Sequence, residues 1–418
     1  MFTMNKLKQI SFTCGKFQNC LRSFSDVNNA VNARHTALYD FHLKHGGKMV
    51  NYGGYLLPVQ YVDQGIRASH LRTRRQGSVF DVSHMLQTYV RGKCAISCME
   101  SLCTADIQGM PDGTSSLTVF TNSNGGIFDD LIVSKVNGHT LYVVSNAEMK
   151  TQDMVIMQDA VDRFKAQGKD VNLEFLPTSD QSLIAVQGPE AVSTLEKLLP
   201  KSYNLDKLYF MHTSLGEVAG VANCRITRCG YTGEDGVEVS VPSTRVQHVT
   251  EALLDANRSL KLAGLGARDS LRLEAGLCLY GSDINAETTP VEAGLAWLVA
   301  RRRRNEANFP GASHILTQLQ PGTKQIKKRR IGLVMNGQKQ IPPARAGVQI
   351  YAKDRNVGYI TSGCPSPSLG KNVAMGYISE DLKKPGTLVQ LKIRDTLYEA
   401  TIVRMPFVNS NYYINPNK

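Results

Sequence analysis

The chain has 418 residues, 42% of them apolar and 20% charged. That is an ordinary globular composition, long enough for two or three domains, and no run of about 18 apolar residues exists to form a membrane span. The formal net charge of +12 suits nucleic acid, an anionic membrane or acidic partners. However, no zinc-finger, RGG or RNA-recognition pattern supports nucleic-acid binding, and a solvated basic surface accounts for the charge equally well.

Residues 1–25 carry Lys6, Lys8, Lys16 and Arg22 and no acid. A basic, acid-free, amphipathic start with no continuous apolar stretch predicts a mitochondrial transit peptide over 1–27 rather than a secretory signal. The other reading is a basic tail on a cytosolic protein. Nine cysteines are scattered along the chain. Their odd number and irregular spacing suggest buried thiols in a reducing compartment, not a disulfide framework. Cys94 and Cys98 are one helical turn apart, but no CxxC or histidine cluster completes a zinc site.

Between 117 and 145 the pattern is β. Leu117–Asn122 and Ile127–Val136 flank Asn124-Gly125-Gly126, a hairpin signal, and Leu141–Val144 reads as a third strand. Ser145-Asn146-Ala147-Glu148 has capping-box form and predicts a helix with Met154, Met157, Val161 and Phe164 on one face. Strands are expected at Ser182–Gln187, Ala222–Arg228 and Val237–Val241. Helices are expected at Ala191–Leu199, Val246–Leu260 and Arg268–Leu277. Thr289-Pro290-Val291-Glu292 is a second capping box, predicting a helix that carries Trp297 and ends in Arg301–Arg304, where cations suit the dipole. Past the Gly/Pro/Lys-rich passage at 321–328, six short strands without a helix predict a small all-β barrel or sandwich over 321–418.

Several chemistries find no support. Gly264-Leu265-Gly266 lacks the third glycine and the leading strand of a dinucleotide loop, and Gly370-Lys371-Asn372 lacks the Ser/Thr and the spacing of a P-loop. There is no HExxH or GxSxG, and the histidines stand singly. Nothing points to a bound nucleotide, a metal or an acyl-enzyme.

Two segments do carry chemistry. In Ile127-Phe128-Asp129-Asp130-Leu131-Ile132-Val133 neighbouring residues point to opposite faces of a strand, and both faces are apolar. At least one carboxylate must therefore enter a buried or cleft surface, where it needs a partner. That partner is either a structural one or the amine of a ligand. In Thr227-Arg228-Cys229-Gly230-Tyr231-Thr232-Gly233-Glu234-Asp235-Gly236-Val237-Glu238 the glycines permit a tight turn and close approach of a ligand. A plain Gly-rich hairpin would read the same way.

Taken in order, these segments resemble the T-protein family of the glycine cleavage system. The likeness runs from about 37 to 413. It includes Leu38–His42, His45–Val50, Phe80–Met85, Gly125–Val133, the TRCGYTGEDGVE block, Ala267–Gly276, Thr288–Glu292 and Thr361–Ser368. Tyr55, in Gly53-Gly54-Tyr55, stands where the family commonly has tryptophan. The resemblance implies an α+β fold of three domains in a cloverleaf around a central folate cavity, with residues 28–320 forming two interleaved α+β domains ahead of the C-terminal β domain. It implies an aminomethyltransferase located in the mitochondrial matrix. The methylene carbon of S-aminomethyldihydrolipoyl H protein passes to tetrahydrofolate, releasing ammonia and giving 5,10-methylenetetrahydrofolate. Tetrahydrofolate is then a co-substrate, and the lipoyl-bearing H protein and the other glycine cleavage components are partners.

Carried over by position, Asp130 is the family's key carboxylate, set near the bridging amine of folate. Glu238 matches the pterin anchor, whose carboxylate suits two parallel N–H donors. Tyr231 and Leu117 match pocket-lining positions, and Arg268 and Tyr412 match further substrate contacts. Arg268 can equally pair with Asp269 or Glu274, and Tyr412 requires the C-terminal tail to fold back onto the cavity. Asn146 matches a polar contact at the mouth of the site, with helix capping as its alternative. Arg330 matches a family arginine whose role can be structural, and Arg301–Arg304 can face acidic partners. A folate-binding accessory factor for iron–sulfur assembly is the other superfamily reading. Those proteins carry a Gly-Cys-Tyr/Phe…Gly-Gln-Glu type of motif, which the TRCGYTGEDGVE block does not match. A flavin-dependent oxidoreductase would need an upstream glycine fingerprint that this chain lacks.

Overall fold

The computed structural model describes residues 33–337 and 341–416. The leader expected at 1–27 lies outside the described residues.

Alternating apolar residues build three sheets and a barrel. A five-stranded antiparallel sheet runs Thr114–Thr121, Ile127–Asn137, Thr140–Ser145, Leu86–Arg91, Asn172–Leu176. The helices Ala95–Glu100 and Lys150–Lys165 cover one face, and Cys98, Met99, Met157 and Val161 pack there against Leu131, Val133 and Val143. A six-stranded sheet has at its centre Val221–Thr227, Gly236–Pro242, Gln181–Gln187 and Ser78–Asp81. The helix Val246–Ala256 buries Val246, Val249 and Leu253 in that sheet's core. A three-stranded sheet orders Arg34–His35, Tyr55–Tyr61 and Gly47–Tyr52. The two larger sheets meet through Phe80, Val82, Tyr142, Val144, Leu183 and Ala185. Residues 328–403 close a six-stranded antiparallel barrel with its own aliphatic core. The expected α+β arrangement with a C-terminal β domain is what the chain adopts, and that domain is a closed barrel, which leaves no free strand edge.

One helix, Leu265–Glu274, joins these parts. Ala267 and Leu271 enter the contact between the two sheets, whereas Leu273 packs with Cys364, Val373 and Met375 of the barrel. Its final residue, Glu274, is fully buried. It accepts hydrogen bonds from Ser366 Oγ at 2.5 Å, Ser368 Oγ at 2.7 Å and the Ser368 backbone N–H at 3.1 Å. It also pairs with Arg74 and His70, each at 3.0 Å. Those donors, with the His70 charge, overcome burial and hold its carboxyl near pKa 2. The Thr361–Ser368 stretch is therefore a latch. Thr361 and Ser362 bond Asp283 and Arg272 just as the two later serines bond Glu274.

Four expectations change. The 145–148 capping box does not cap: the helix begins at Lys150, with Met149 at its N-cap and no side-chain bond there. Asn146 is engaged elsewhere, as shown below. Thr289 and Glu292 do make the reciprocal capping bonds, at 3.1 and 3.2 Å, but the chain continues as turns and Trp297 sits in the 3-10 turn Ala296–Leu298. Arg301–Arg304 open a helix, Arg301–Glu306, instead of closing one. They are also largely consumed internally. Arg302 pairs with Glu100, Asp106 and Glu306, buried Arg303 pairs with Glu306, and Arg304 bonds the carbonyls of Val299 and Ala296. Those ion pairs offset the unfavourable dipole of cations at a helix start. The helix expected over 268–277 starts three residues earlier, at Leu265.

Arg330 is structural. Its guanidinium bonds the carbonyls of Ala293 at 2.7 Å and Gly276 at 3.1 Å, tying the barrel to the preceding segment.

Removing the latch at its acceptor leaves buried His70 and two serines without that partner, and Arg74 with Glu234 as its remaining acid. Glu274→Ala should cost about 3–5 kcal/mol of stability, measured by urea unfolding. A loss below about 1 kcal/mol would show that the barrel is held by apolar contact alone.

Candidate active site

The site begins with strand alternation. In Ile127–Asn137, Ile127, Asp129, Leu131 and Val133 are buried, whereas Phe128, Asp130 and Ile132 are half-buried. Asp129 thus points into the core and Asp130 into a cleft. The hairpin that feeds this strand is held by Asn122, whose side chain accepts from the N–H groups of Asn124 and Gly126, each at 2.9 Å. A Cβ on Gly126 would lie 1.8 Å from the Ala286 carbonyl oxygen, so only glycine allows that approach.

The antiparallel register pairs Leu131 with Ser145. The next pair beyond the strand end is Asp130 with Asn146. The Asn146 side-chain amide donates to Asp129 Oδ1 at 2.8 Å, Asp130 Oδ1 at 2.9 Å and the Asp130 carbonyl at 3.0 Å. Its backbone N–H donates to Asp129 Oδ2 at 3.0 Å. Asn146 is therefore the clamp on both carboxylates. Burial, reinforced by the charge on Asp129, pushes the Asp130 carboxyl up to about 7, and the Asn146 bond works against that rise.

The glycine-rich turn supplies the opposite wall. A Cβ on Gly230 would lie 1.8 Å from Gln187 Oε1, and Thr232 Oγ1 donates to the same oxygen at 2.9 Å. Three acids follow. Glu234 is committed to Arg74 at 2.9 Å. Asp235 is committed to Arg228, at 2.9 and 2.5 Å. Glu238 alone forms no ion pair, although it lies in the middle of the sheet between Thr227 and Ala185. Burial raises its carboxyl above the ordinary range, with the Arg268 charge and the Cys229 thiol opposing. Glu238 and Cys229 line a hollow that Ile132 and Ser134 also line. These are the next two positions on the Asp130 face, about 7 Å further along the strand for Ile132. Asp130 acts electrostatically on Tyr231, and Arg268 acts on both Tyr231 and Glu238, so one row of side chains connects the two carboxylates.

Tyr231 links the two walls. Its hydroxyl donates to the Cys278 carbonyl, and the Arg268 guanidinium lies 4.7 Å from its ring centroid. Burial holds the phenol protonated, far above its usual pKa. Arg268 pairs with neither Asp269 nor Glu274, which are taken by Arg272 and by Arg74 with His70. Its Nη1 is buried without a hydrogen-bond partner. Leu117 is half-buried against Val119, Ile127 and Cys278. The tail does fold back. Asn411 donates its backbone N–H to the Gly233 carbonyl at 2.8 Å and its side-chain amide to Glu234 at 2.9 Å, and Tyr412 stacks on Phe210 at 4.0 Å. Tyr412 thus backs the glycine-rich turn. Asp130, Asn146, Tyr231, Arg268 and Glu238 converge more closely.

Three further residues bear on the site. His84 is buried, its Nδ1 has no partner, and burial plus the Arg268 charge press its pKa to about 3, so it is neutral. Asp153 is wholly buried beside Asp129. Tyr55, at the position where tryptophan was expected, is buried with Arg34 4.3 Å above its ring, and Lys150 donates to its hydroxyl at 3.2 Å. Asp153 left a trace in the sequence, because it lies four residues before Met157 on the helix's apolar stripe. His84 sat in a recognised stretch, but nothing local marked its unpaired nitrogen.

A buried cationic nitrogen without a partner, a neutral histidine with a free ring nitrogen and a carboxylate without a cation form a cradle for a flat polar ring bearing both donors and acceptors. Among the described residues no group of His, Cys, Asp and Glu is arranged to hold a metal.

Comparison with known proteins agrees with this geometry. Residues 38–303 match the GCVT N-terminal domain model, and residues 328–409 match the glycine cleavage T-protein C-terminal barrel domain. The chain is 50% identical over 381 residues to the mitochondrial aminomethyltransferase of Homo sapiens, covering 91% of each chain. It is 45% identical to that of Flaveria anomala, covering 95% of this chain and 93% of the other. The crystal structure of glycine cleavage system aminomethyltransferase T from Bartonella henselae superposes with a TM-score of 0.82 at 33% identity, covering 91% of this chain and 99% of that one. With both parts matched by the family models and 50% identity to a relative over 91% of each chain, this chain belongs to the glycine cleavage T-protein family of aminomethyltransferases.

Proposed function

We propose that the chain is the aminomethyltransferase of a mitochondrial glycine cleavage system. It takes the methylene carbon from S-aminomethyldihydrolipoyl H protein and gives it to tetrahydrofolate, with release of ammonia. The observation that carries this reading is a pair of carboxylates without ion pairs, Asp130 and Glu238, connected through Tyr231 and Arg268 beside the hollow that Glu238 lines. The names of the relatives favour the transferase over an iron–sulfur accessory factor. The mitochondrial names of those relatives and the basic, acid-free start of the chain support a matrix location with a leader over 1–27. Residues 28–320 would then hold the folate and residues 321–418 form the barrel unit.

Each residue has a task suited to its surroundings. The Glu238 carboxylate accepts the two parallel N–H donors of the pterin's amino-pyrimidinone edge, which replaces the solvation it lacks. Arg268 and His84 offer the remaining donor and acceptor sites, and the ring of Tyr231 and the side chain of Leu117 cover the flat faces. Tyr412 fixes the wall behind the glycine-rich turn. Asp130, held at Oδ1 by Asn146, leaves its other oxygen to accept the N–H of the folate bridging amine. This orients the nitrogen lone pair toward the incoming carbon and takes up positive charge as the new C–N bond forms. The task of each residue requires neither a metal nor a nucleotide.

The raised Asp130 carboxyl fixes the sign of the pH response. Only the ionised form accepts the amine hydrogen, so kcat/KM for tetrahydrofolate should fall as pH drops through about 7. Asp130→Asn should fold and lose at least about 100-fold in turnover with reconstituted H protein; turnover within a few-fold of wild type rejects the assignment. The same variant tests linkage. A carboxyl raised on folding destabilises the fold as pH climbs from its ordinary value, about 4, to about 7. Asp130→Asn should therefore gain roughly 1–3 kcal/mol over wild type at pH 8 and nothing at pH 4, by urea denaturation. Glu238→Ala should weaken tetrahydrofolate binding by about 1–3 kcal/mol in calorimetry, and an unchanged affinity would remove the pterin role.

A further inference from the structure

Behind the clamp lies a group for which the proposed reaction has no use. Asp129 and Asp153 are both fully buried. Asp129 already accepts from Asn146 at both oxygens. Both oxygens of Asp153 are buried with no donor to satisfy them, and its carboxyl lies within hydrogen-bonding reach of Asp129. The titratable groups packed around the pair are Asp130 from the same strand, Asp283 and Tyr280 from the 278–284 segment, and Tyr231 and Cys278 beyond Asp130. Ser145 approaches from the neighbouring strand. None of these is a cation, and none of the three aspartates forms an ion pair among the described residues. Two buried carboxylates in contact, with no cation paired to either, cannot both be ionised.

We infer that Asp129 and Asp153 share one proton, and that Asp153 is a positioning residue acting through Asp129 and Asn146 on Asp130. The proton lies on the Asp153 side and is donated to Asp129. Asp129 then remains an anion that accepts three hydrogen bonds, which is what allows it to grip the Asn146 amide. The grip fixes the Asp130 Oδ1 and leaves its second oxygen free. Two outcomes follow from losing the proton donor. Asp129 either picks up the proton itself and loosens its hold on Asn146, or stays charged and raises the Asp130 carboxyl further. Both reduce the fraction of Asp130 that is ionised and correctly aimed at neutral pH. The helix Lys150–Lys165 places Asp153 in its first turn, so the device is built into the element that also carries the apolar stripe of this sheet's core.

The inference rests on the functional reading for its kinetic arm only, and the spectroscopic arm is independent of it. The test uses the full-length protein, carboxyl-labelled with carbon-13 aspartate, and infrared difference spectra without substrate at about pH 9, where Asp130, raised to about 7, is ionised. A labelled carbonyl band of a protonated, hydrogen-bonded carboxyl is expected. It should persist in Asp130→Asn and disappear in Asp153→Asn, whose amide N–H donates to Asp129 in place of the acid. In kinetics with H protein and tetrahydrofolate, Asp153→Asn should keep kcat within about three-fold of wild type. Asp153→Leu should lose about 10–100-fold in kcat with KM little changed, and its acid limb should move away from the wild-type position. A wild-type spectrum without the band, or a band that survives Asp153→Asn, overturns the shared proton. Equal losses in the Asn and Leu variants, or none in Leu, overturn the positioning role. A wild-type protein that shows the band but transfers no carbon to tetrahydrofolate refutes the functional reading and leaves the shared proton standing.

Discussion

The arrangement depends on one amide. Asn146 stands one position beyond the end of the strand Thr140–Ser145, where the ladder places it opposite Asp130. From there it contacts both neighbouring carboxylates, which strand geometry sends to opposite faces. A side chain within the ladder would meet only the face it points to. A residue just past it can turn its amide across the strand edge and bridge the core-facing and cleft-facing acids. The chemistry of the cleft is in this way coupled to the packing of the core, through hydrogen bonds of 2.8–3.0 Å.

The rest of the molecule serves to leave a few polar groups unpaired. Around the glycine-rich turn, Arg228 neutralises Asp235 and Arg74 neutralises Glu234. Arg272 takes Asp269 and Asp283, and Glu274 is saturated by six donors. Against this nearly complete pairing, Arg268 Nη1, left without a hydrogen bond, and Glu238, left without an ion pair, are informative. A buried polar group without a partner costs on the order of 1–3 kcal/mol. A fold that meets this cost at several adjacent positions has stored part of the driving force for a ligand with complementary donors and acceptors.

Much of this was legible in the sequence, because the signals were local. Alternation around Asp129 and Asp130 showed that one acid must enter a cleft. The short strands after 328 predicted the β domain, and the stripe Met154–Met157–Val161 predicted the helix face that packs on the sheet. The failures share a cause. Ser145–Glu148 and Thr289–Glu292 both have capping spacing, yet in the first the polar side chain found better acceptors across the strand edge, and in the second the bonds formed around a turn that does not continue as a helix. The basic run Arg301–Arg304 looked like a surface feature because its acids, Glu100 and Asp106, are about 200 residues away. Long-range pairing is what a local pattern does not contain. The same limit hid His84 and the contact between Asp129 and Asp153.

The returning tail has a bearing on how the protein is made. Asn411 bonds the Gly233 carbonyl and Glu234, and Tyr412 and Tyr413 stack on Phe210 and Tyr209. These residues are synthesised after every other part of the two walls. The sheets bearing Asp130 and Glu238 can be complete while the barrel is still being translated, but the wall behind the glycine-rich turn is not. A nascent chain that has not reached Asn411 therefore has both carboxylate-bearing sheets but lacks the backing of the glycine-rich turn.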